Sequence, residues 1–80
     1  MAKVELGTAH TGEYWTVLVD AGELICDGGK PLPYPTWIGT FKRDGTINVW
    51  TPAAGKPRGY KTAATRLLRN TADGFLAAQR

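Results

Sequence analysis

The residues with the clearest chemical potential are basic side chains in the second half of the chain. No Asp or Glu lies between Asp44 and Asp73, and five bases fall inside that interval: Lys56, Arg58, Lys61, Arg66 and Arg69. An acid-free basic stretch, placed at the start of a predicted helix and along its exposed face, suits contacts with phosphate oxygens. The sequence therefore predicts a surface that attracts a polyanion.

An aromatic residue and two more bases extend this candidate surface. Lys42 and Arg43 lie at the end of a predicted hairpin, and Trp50 lies on the outer face of the predicted sheet. An exposed aromatic ring beside bases is the usual combination for stacking on unpaired nucleobases. In the competing interpretation, Trp50 and Ile38 pack beneath the proline segment or the N-terminal arm. Whether Trp50 is buried decides between the two.

The charge is distributed unevenly along the chain. The first forty residues hold two bases against five acids, whereas the last forty hold eight bases against two acids, for a net charge of +3. Such asymmetry between halves indicates a polyanion partner or an oriented electrostatic surface. Uneven placement of ordinary solubilising charges explains the same counts, so the pattern is a hint rather than a proof.

Residues that could do catalysis or hold a metal are scarce. The chain has one cysteine, Cys26, one histidine, His10, and no serine. These residue counts exclude an internal disulfide, a serine nucleophile and a metal site with four Cys or His ligands. The seven carboxylates show no spacing that pairs two on one helix face. We therefore expect a binding protein that is not an enzyme and that needs no cofactor or metal.

The length of the chain limits its architecture. Eighty residues fit a single domain, residues 1–80, whose core must be thin. No apolar run reaches the 18 residues of a membrane span, and residues 1–5 lack the apolar stretch of a signal peptide. These observations predict a cytoplasmic protein without a membrane partner.

Two hairpins are predicted in the first fifty residues. Residues 1–12 are predicted to be a flexible N-terminal segment. The alternative is a short edge strand around Val4 and Leu6. Residues 13–19 are rich in β-branched and aromatic side chains. They are expected to pair with residues 23–26 across a turn at 20–22. Residues 31–35 carry three prolines at alternate positions and are expected to form an extended connection to the second hairpin.

The second hairpin comprises residues 37–42 and 46–50. A two-residue turn would oppose Phe41 to Asn48, whereas a three-residue loop with Gly45 in the left-handed conformation opposes Phe41 to Ile47. The three-residue loop gives one apolar face, and it is therefore preferred. That face contains Trp37, Gly39, Phe41, Ile47 and Val49, and the outer face contains Ile38, Thr40, Lys42, Thr46, Asn48 and Trp50.

A C-terminal helix follows a loop at residues 51–59. Its predicted buried stripe has the 3.6-residue period and consists of Tyr60, Ala64, Leu67, Leu68 and Thr71. Glycine is unfavourable inside a helix, so a break is expected between Asn70 and Gly74. The predicted fold is α+β: a four-stranded antiparallel sheet of two β-hairpins, packed on one face by the C-terminal α-helix.

Two functions fit these features, and charge favours the first. One is a small nucleic-acid-binding module, for DNA or RNA, that uses the basic loop and helix. The other is a protein-binding inhibitor or adaptor of the kind that phages and mobile elements encode. The second would dock through an apolar strip on the outer sheet face, formed by Tyr14, Tyr34, Ile38 and Trp50. Self-association into a homodimer through this strip is a variant of the second function.

Overall fold

The computed structural model describes residues 3–9, 12–26, 29, 31–52 and 57–79. It confirms the predicted fold class: an antiparallel sheet with strand order β1-β2-β3-β4, and one C-terminal helix packed over β3 and β4. The elements are β1 (Lys3–Ala9), β2 (Gly12–Val19), β3 (Thr36–Lys42), β4 (Ile47–Val49) and α1 (Tyr60–Ala78).

The sequence predicted that residues 13–19 pair with residues 23–26, whereas in the structure β2 pairs with β1. Residues 3–9, expected to be a flexible lead-in, form a full edge strand in which Val4 opposes Val17 and Leu6 opposes Trp15. Pairing of Ala9 with Gly12 leaves only two residues to close the hairpin, and those two lie outside the described residues. Because seven residues of β1 pair with β2 across a short connection, β1 can form more interstrand hydrogen bonds than residues 23–26 could.

The described residues after β2, 20–26, 29 and 31–35, fold back toward one another instead of adding a strand. The Gly22 N–H donates to Leu32 O at 2.7 Å, and the Leu32 N–H donates to Leu24 O at 3.0 Å. Ile25 makes an isolated bridge with Pro31. Prolines lack the N–H that a continuous ladder needs, so pairing stops there. The segment nevertheless contributes Leu24, Cys26 and Leu32 to the core.

The pairing of β3 with β4 confirms the predicted three-residue loop. Phe41 opposes Ile47 and Gly39 opposes Val49. Phe41 belongs to the core, and Ile47 and Val49 pack against it. Gly45 has a φ of 94°, a conformation that favours glycine. The loop is closed by the Lys42 N–H, which donates to Thr46 O at 2.8 Å.

Asp44 reinforces this turn through its side chain. The Thr46 N–H donates to Asp44 Oδ1 at 2.9 Å. This hydrogen bond is the main cause that lowers the pKa of the Asp44 carboxyl below its ordinary value. This local hydrogen bond favours the ionised form of the Asp44 carboxyl.

A β-bulge in β3 corrects the predicted faces. Val17 opposes Gly39 while Leu18 opposes Trp37, so Ile38 is the extra residue. The bulge reverses the alternation of side chains, which leaves Ile38 0% exposed and Trp37 38% exposed. Ile38 therefore does not belong to the outer strip, and Trp37 does not belong to the core.

The helix buries one stripe against the sheet. The buried residues are Tyr60, Ala64, Leu68 and Ala72, and Leu67, Phe75 and Leu76 pack at the edges of the core. Phe75 reaches the rings of Trp15 and Phe41 at centroid distances of 5.3 and 5.6 Å. Within the described residues, no helix combines the length and apolar content of a membrane span.

The predicted break between Asn70 and Gly74 is wrong, because α1 continues through Gly74 to Ala78. Packing of Phe75 and Leu76 beyond that point offsets the low helix propensity of a single glycine.

Replacing Gly74 by alanine is expected to stabilise the protein by about 1 kcal/mol. A Cβ atom at this exposed position would meet no atom within 4 Å, so the methyl group adds helix propensity without a clash. Urea unfolding followed by circular dichroism measures the change. A loss of stability would show that the helix does not continue through this residue.

Candidate nucleic-acid interface

The predicted basic residues occupy two separate regions. Lys42 and Arg43 lie at the β3–β4 turn, and Trp50 directly follows the other end of β4. The four residue steps from Thr46 to Trp50 span roughly 13 Å of extended chain. Lys61 lies in the first turn of α1 and lines a groove with Trp50. Arg58 lies two residues before the helix, and Lys56 lies outside the described residues.

Arg43 has partners within the protein. Its Nη2 atom donates to Glu13 Oε2 at 2.6 Å, and its guanidinium lies 5.4 Å from the centroid of the Trp15 ring. These contacts hold Arg43 over the edge of the core. The structure therefore places Arg43 away from the helix start and with its charge opposed by a carboxylate.

The side chain of Trp50 is exposed, whereas its main chain is held by hydrogen bonds. Its side chain is 37% exposed, which answers the question left open by the sequence. Its N–H donates to Ile38 O at 2.9 Å, and its carbonyl oxygen accepts a bond from Tyr60 Oη at 2.9 Å. The main chain of Trp50 is thus held by β3 on one side and by α1 on the other.

Tyr60 provides the link between the helix and Trp50. It is among the most deeply buried large side chains of the protein, and burial is the main cause that raises the pKa of its hydroxyl. A neutral hydroxyl is the form that donates to the Trp50 carbonyl. The first helical residue therefore holds the main chain of Trp50.

A succession of grooves runs from Trp50 around the start of the helix. The first has a volume of about 190 Å³ and is lined by Val49, Trp50, Thr51, Tyr60 and Lys61. The second, about 280 Å³, is lined by residues 57–62, which include Arg58. The two grooves share Tyr60 and Lys61, so Trp50, Lys61 and Arg58 border one continuous surface.

A third groove continues this surface onto the exposed side of the helix. Its volume is about 380 Å³, and its lining consists of Ile25, Cys26, Gly59, Thr62, Ala63 and Arg66. It shares Gly59 and Thr62 with the second groove. We call Arg58, Lys61 and Arg66, with Trp50 at one end, the basic band.

The helical part of the basic band consists of two positively charged residues, Lys61 and Arg66. The first turn of α1 contains no acidic residue, so the charge of Lys61 is not offset there. Arg69 lies on the next turn after Arg66 and has Asp73 four residues further on, a spacing at which opposite charges interact on a helix. Arg66 has no acid at that spacing, because Asn70 occupies the position.

Sequence reasoning placed Trp50 with Lys42, whereas the structure places Trp50 with Lys61. It also missed the third groove, because residues 23–26 were assigned to a strand. No pattern in the sequence identifies this groove, because it depends on the hydrogen bonds that join Gly22 and Leu24 to Leu32.

The other residues that the sequence analysis named for their chemistry are Cys26 and His10. Cys26 is a buried free thiol, and no group of three or more potential metal-binding side chains occurs in the described ranges. His10 lies outside them. No protein-family model, curated protein or solved structure matches the chain, so the function has to be argued from the basic band itself.

Proposed function

We propose that this protein is a small nucleic-acid-binding module that uses the basic band. The observation that carries the proposal is the groove that is lined by both Trp50, an exposed aromatic residue, and Lys61. Lysine and arginine side chains neutralise phosphates, and an exposed aromatic ring offers a face to a nucleobase. Arg58 and Arg66 extend the same surface over the following grooves.

The composition of the band indicates which kind of recognition to expect. Contacts to phosphate position a ligand but carry no sequence information, and stacking tolerates every base. We therefore propose binding without strong sequence preference, with a contribution from Arg69 where a ligand extends beyond Arg66. A nucleic-acid ligand is consistent with an action in the cytoplasm.

Fluorescence anisotropy with a mixed pool of labelled single- and double-stranded oligonucleotides tests this function. Three phosphate contacts predict that affinity falls roughly 20- to 40-fold between 50 and 200 mM salt. Polyglutamate serves as the control polyanion, and it should compete far less well because it offers no base to Trp50. Affinity that is insensitive to salt, or equal competition by polyglutamate, contradicts the proposal.

Protein binding through the helix-free face of the sheet is the second candidate function. The bulge removes Ile38 from this face but brings Trp37, 38% exposed, opposite Leu18. Tryptophan is enriched at interface hot spots, and a second copy of the chain is one partner that this face could bind. Trp37→Ala should then abolish association while leaving nucleic-acid affinity unchanged, and analytical ultracentrifugation detects the self-associating form.

A further inference from the structure

We infer that the ligand of the basic band is an unpaired nucleic-acid strand, with one base stacked on Trp50. The inference rests on the proposed function and narrows it from nucleic acid in general to single strands. Two observations support it. The main chain of Trp50 is held by hydrogen bonds, and Lys61 and Arg66 project from different sides of the helix.

Trp50 has the properties of a stacking platform. Its main chain is fixed through the hydrogen bonds with Ile38 and Tyr60, so a base that stacks on the indole need not order the backbone first. Bases within a duplex are already stacked on their neighbours and present only their edges in the grooves. A strand with unpaired bases is therefore the form that can use this indole.

The basic residues of the band face different directions. Lys61 and Arg66 are five residues apart in α1, which separates them by about 140° around the helix axis and roughly 7.5 Å along it. A duplex, whose persistence length is on the order of 150 base pairs, approaches from one side and meets one of these residues. A single strand is flexible enough to pass from the groove at Trp50 across the helix start to Arg66.

Affinity for three nucleic acids tests the inference on the whole chain. The probes are oligothymidylate and oligouridylate of about 12 nucleotides, and a blunt-ended DNA duplex of equal total charge. Both single strands, or one of them, should bind at least tenfold more tightly than the duplex. The two single strands together show whether the site accepts DNA, RNA or both.

Trp37 provides a matched control for Trp50, because the two indoles are equally exposed. Trp50→Ala should weaken oligothymidylate binding by about 5- to 100-fold, and Trp37→Ala should leave it unchanged. Fluorescence quenching by the oligonucleotide should persist in Trp37→Phe and disappear in Trp50→Phe. The phenylalanine variants keep an aromatic ring and so guard against loss of the fold.

The failures of the two proposals are distinguishable. Salt-sensitive binding of the duplex that equals binding of the single strands would overturn the inference and leave the proposed function standing. Quenching that depends on Trp37 instead of Trp50 would likewise overturn the inference. Absence of binding to all three probes at low salt would overturn both.

Discussion

Replacing Gly39 by alanine is expected to destabilise the protein by about 3 kcal/mol or more. A Cβ atom at Gly39 would clash with the backbone oxygen of Asn48 and lie 2.9 Å from Leu68 Cδ2. The φ of Gly39 is 152°, a value that side chains disfavour. Relief of the clash would move β4 or the helix, since the nearest obstacle is main chain.

Chemical unfolding of Gly39→Ala, followed by circular dichroism, measures this effect. Gly74→Ala is the matched control, because it makes the same substitution where the added methyl group meets open space. The two variants should change the free energy of unfolding in opposite directions. A stability for Gly39→Ala within about 0.5 kcal/mol of the parent, the range of a neutral surface change, would contradict the close approach of β4 and α1 to Gly39.

Removing two charges from the basic band should both weaken binding and reduce its dependence on salt. Lys61→Gln combined with Arg66→Gln is expected to lower affinity for oligothymidylate on the order of tenfold at low salt. It should also reduce the slope of log affinity against log salt by about 1.4, because two phosphate contacts are lost from a single strand. Titrations at four or more salt concentrations provide both quantities.

The control for this variant removes the same number of charges elsewhere. Lys3 and Lys42 are exposed residues of β1 and β3, and the double variant with glutamine at both positions has the same net charge. It should retain the parental salt slope. Equal losses in the two double variants would mean that net charge, and not the basic band, determines affinity.

The β3–β4 hairpin could be predicted from the sequence because its register is determined locally. Only the three-residue loop ending at Gly45 places Phe41 and Ile47 on the same face as Gly39 and Val49, and the structure has this register. Turn chemistry and alternation act within a dozen residues, so no knowledge of other elements was needed.

The bulge at Ile38 could not be predicted in this way, since it depends on a third strand. It arises where β3 pairs with β2, between Val17 and Leu18, and the sequence of β3 alone shows ordinary alternation. The choice of β1 as the partner of β2 is likewise a competition between distant segments. α1 packs over β3 and β4 and does not cover β1, so Leu6 stays 61% exposed. An apolar residue that is not buried is a weak sequence indication of a strand.

The candidate site was predictable in its residue types but not in its grouping. The acid-free interval named Trp50, Arg58, Lys61 and Arg66 from the sequence alone. Their grouping depends on the hydrogen bond that the Tyr60 hydroxyl donates to the carbonyl of Trp50, between residues ten positions apart in the chain. A contact between segments so separated is set by the tertiary packing of Tyr60, which periodicity identified only as a buried position.

The location of the binding surface can be measured directly by NMR. Backbone amide shifts of the labelled protein, recorded during titration with oligothymidylate at low salt, should change most at Trp50, Lys61 and Arg66, together with the Trp50 indole N–H. The turn around Lys42 and Arg43 should remain unperturbed. Shifts that are confined to that turn, or to the sheet face around Trp37, would contradict the assignment of nucleic-acid binding to the basic band.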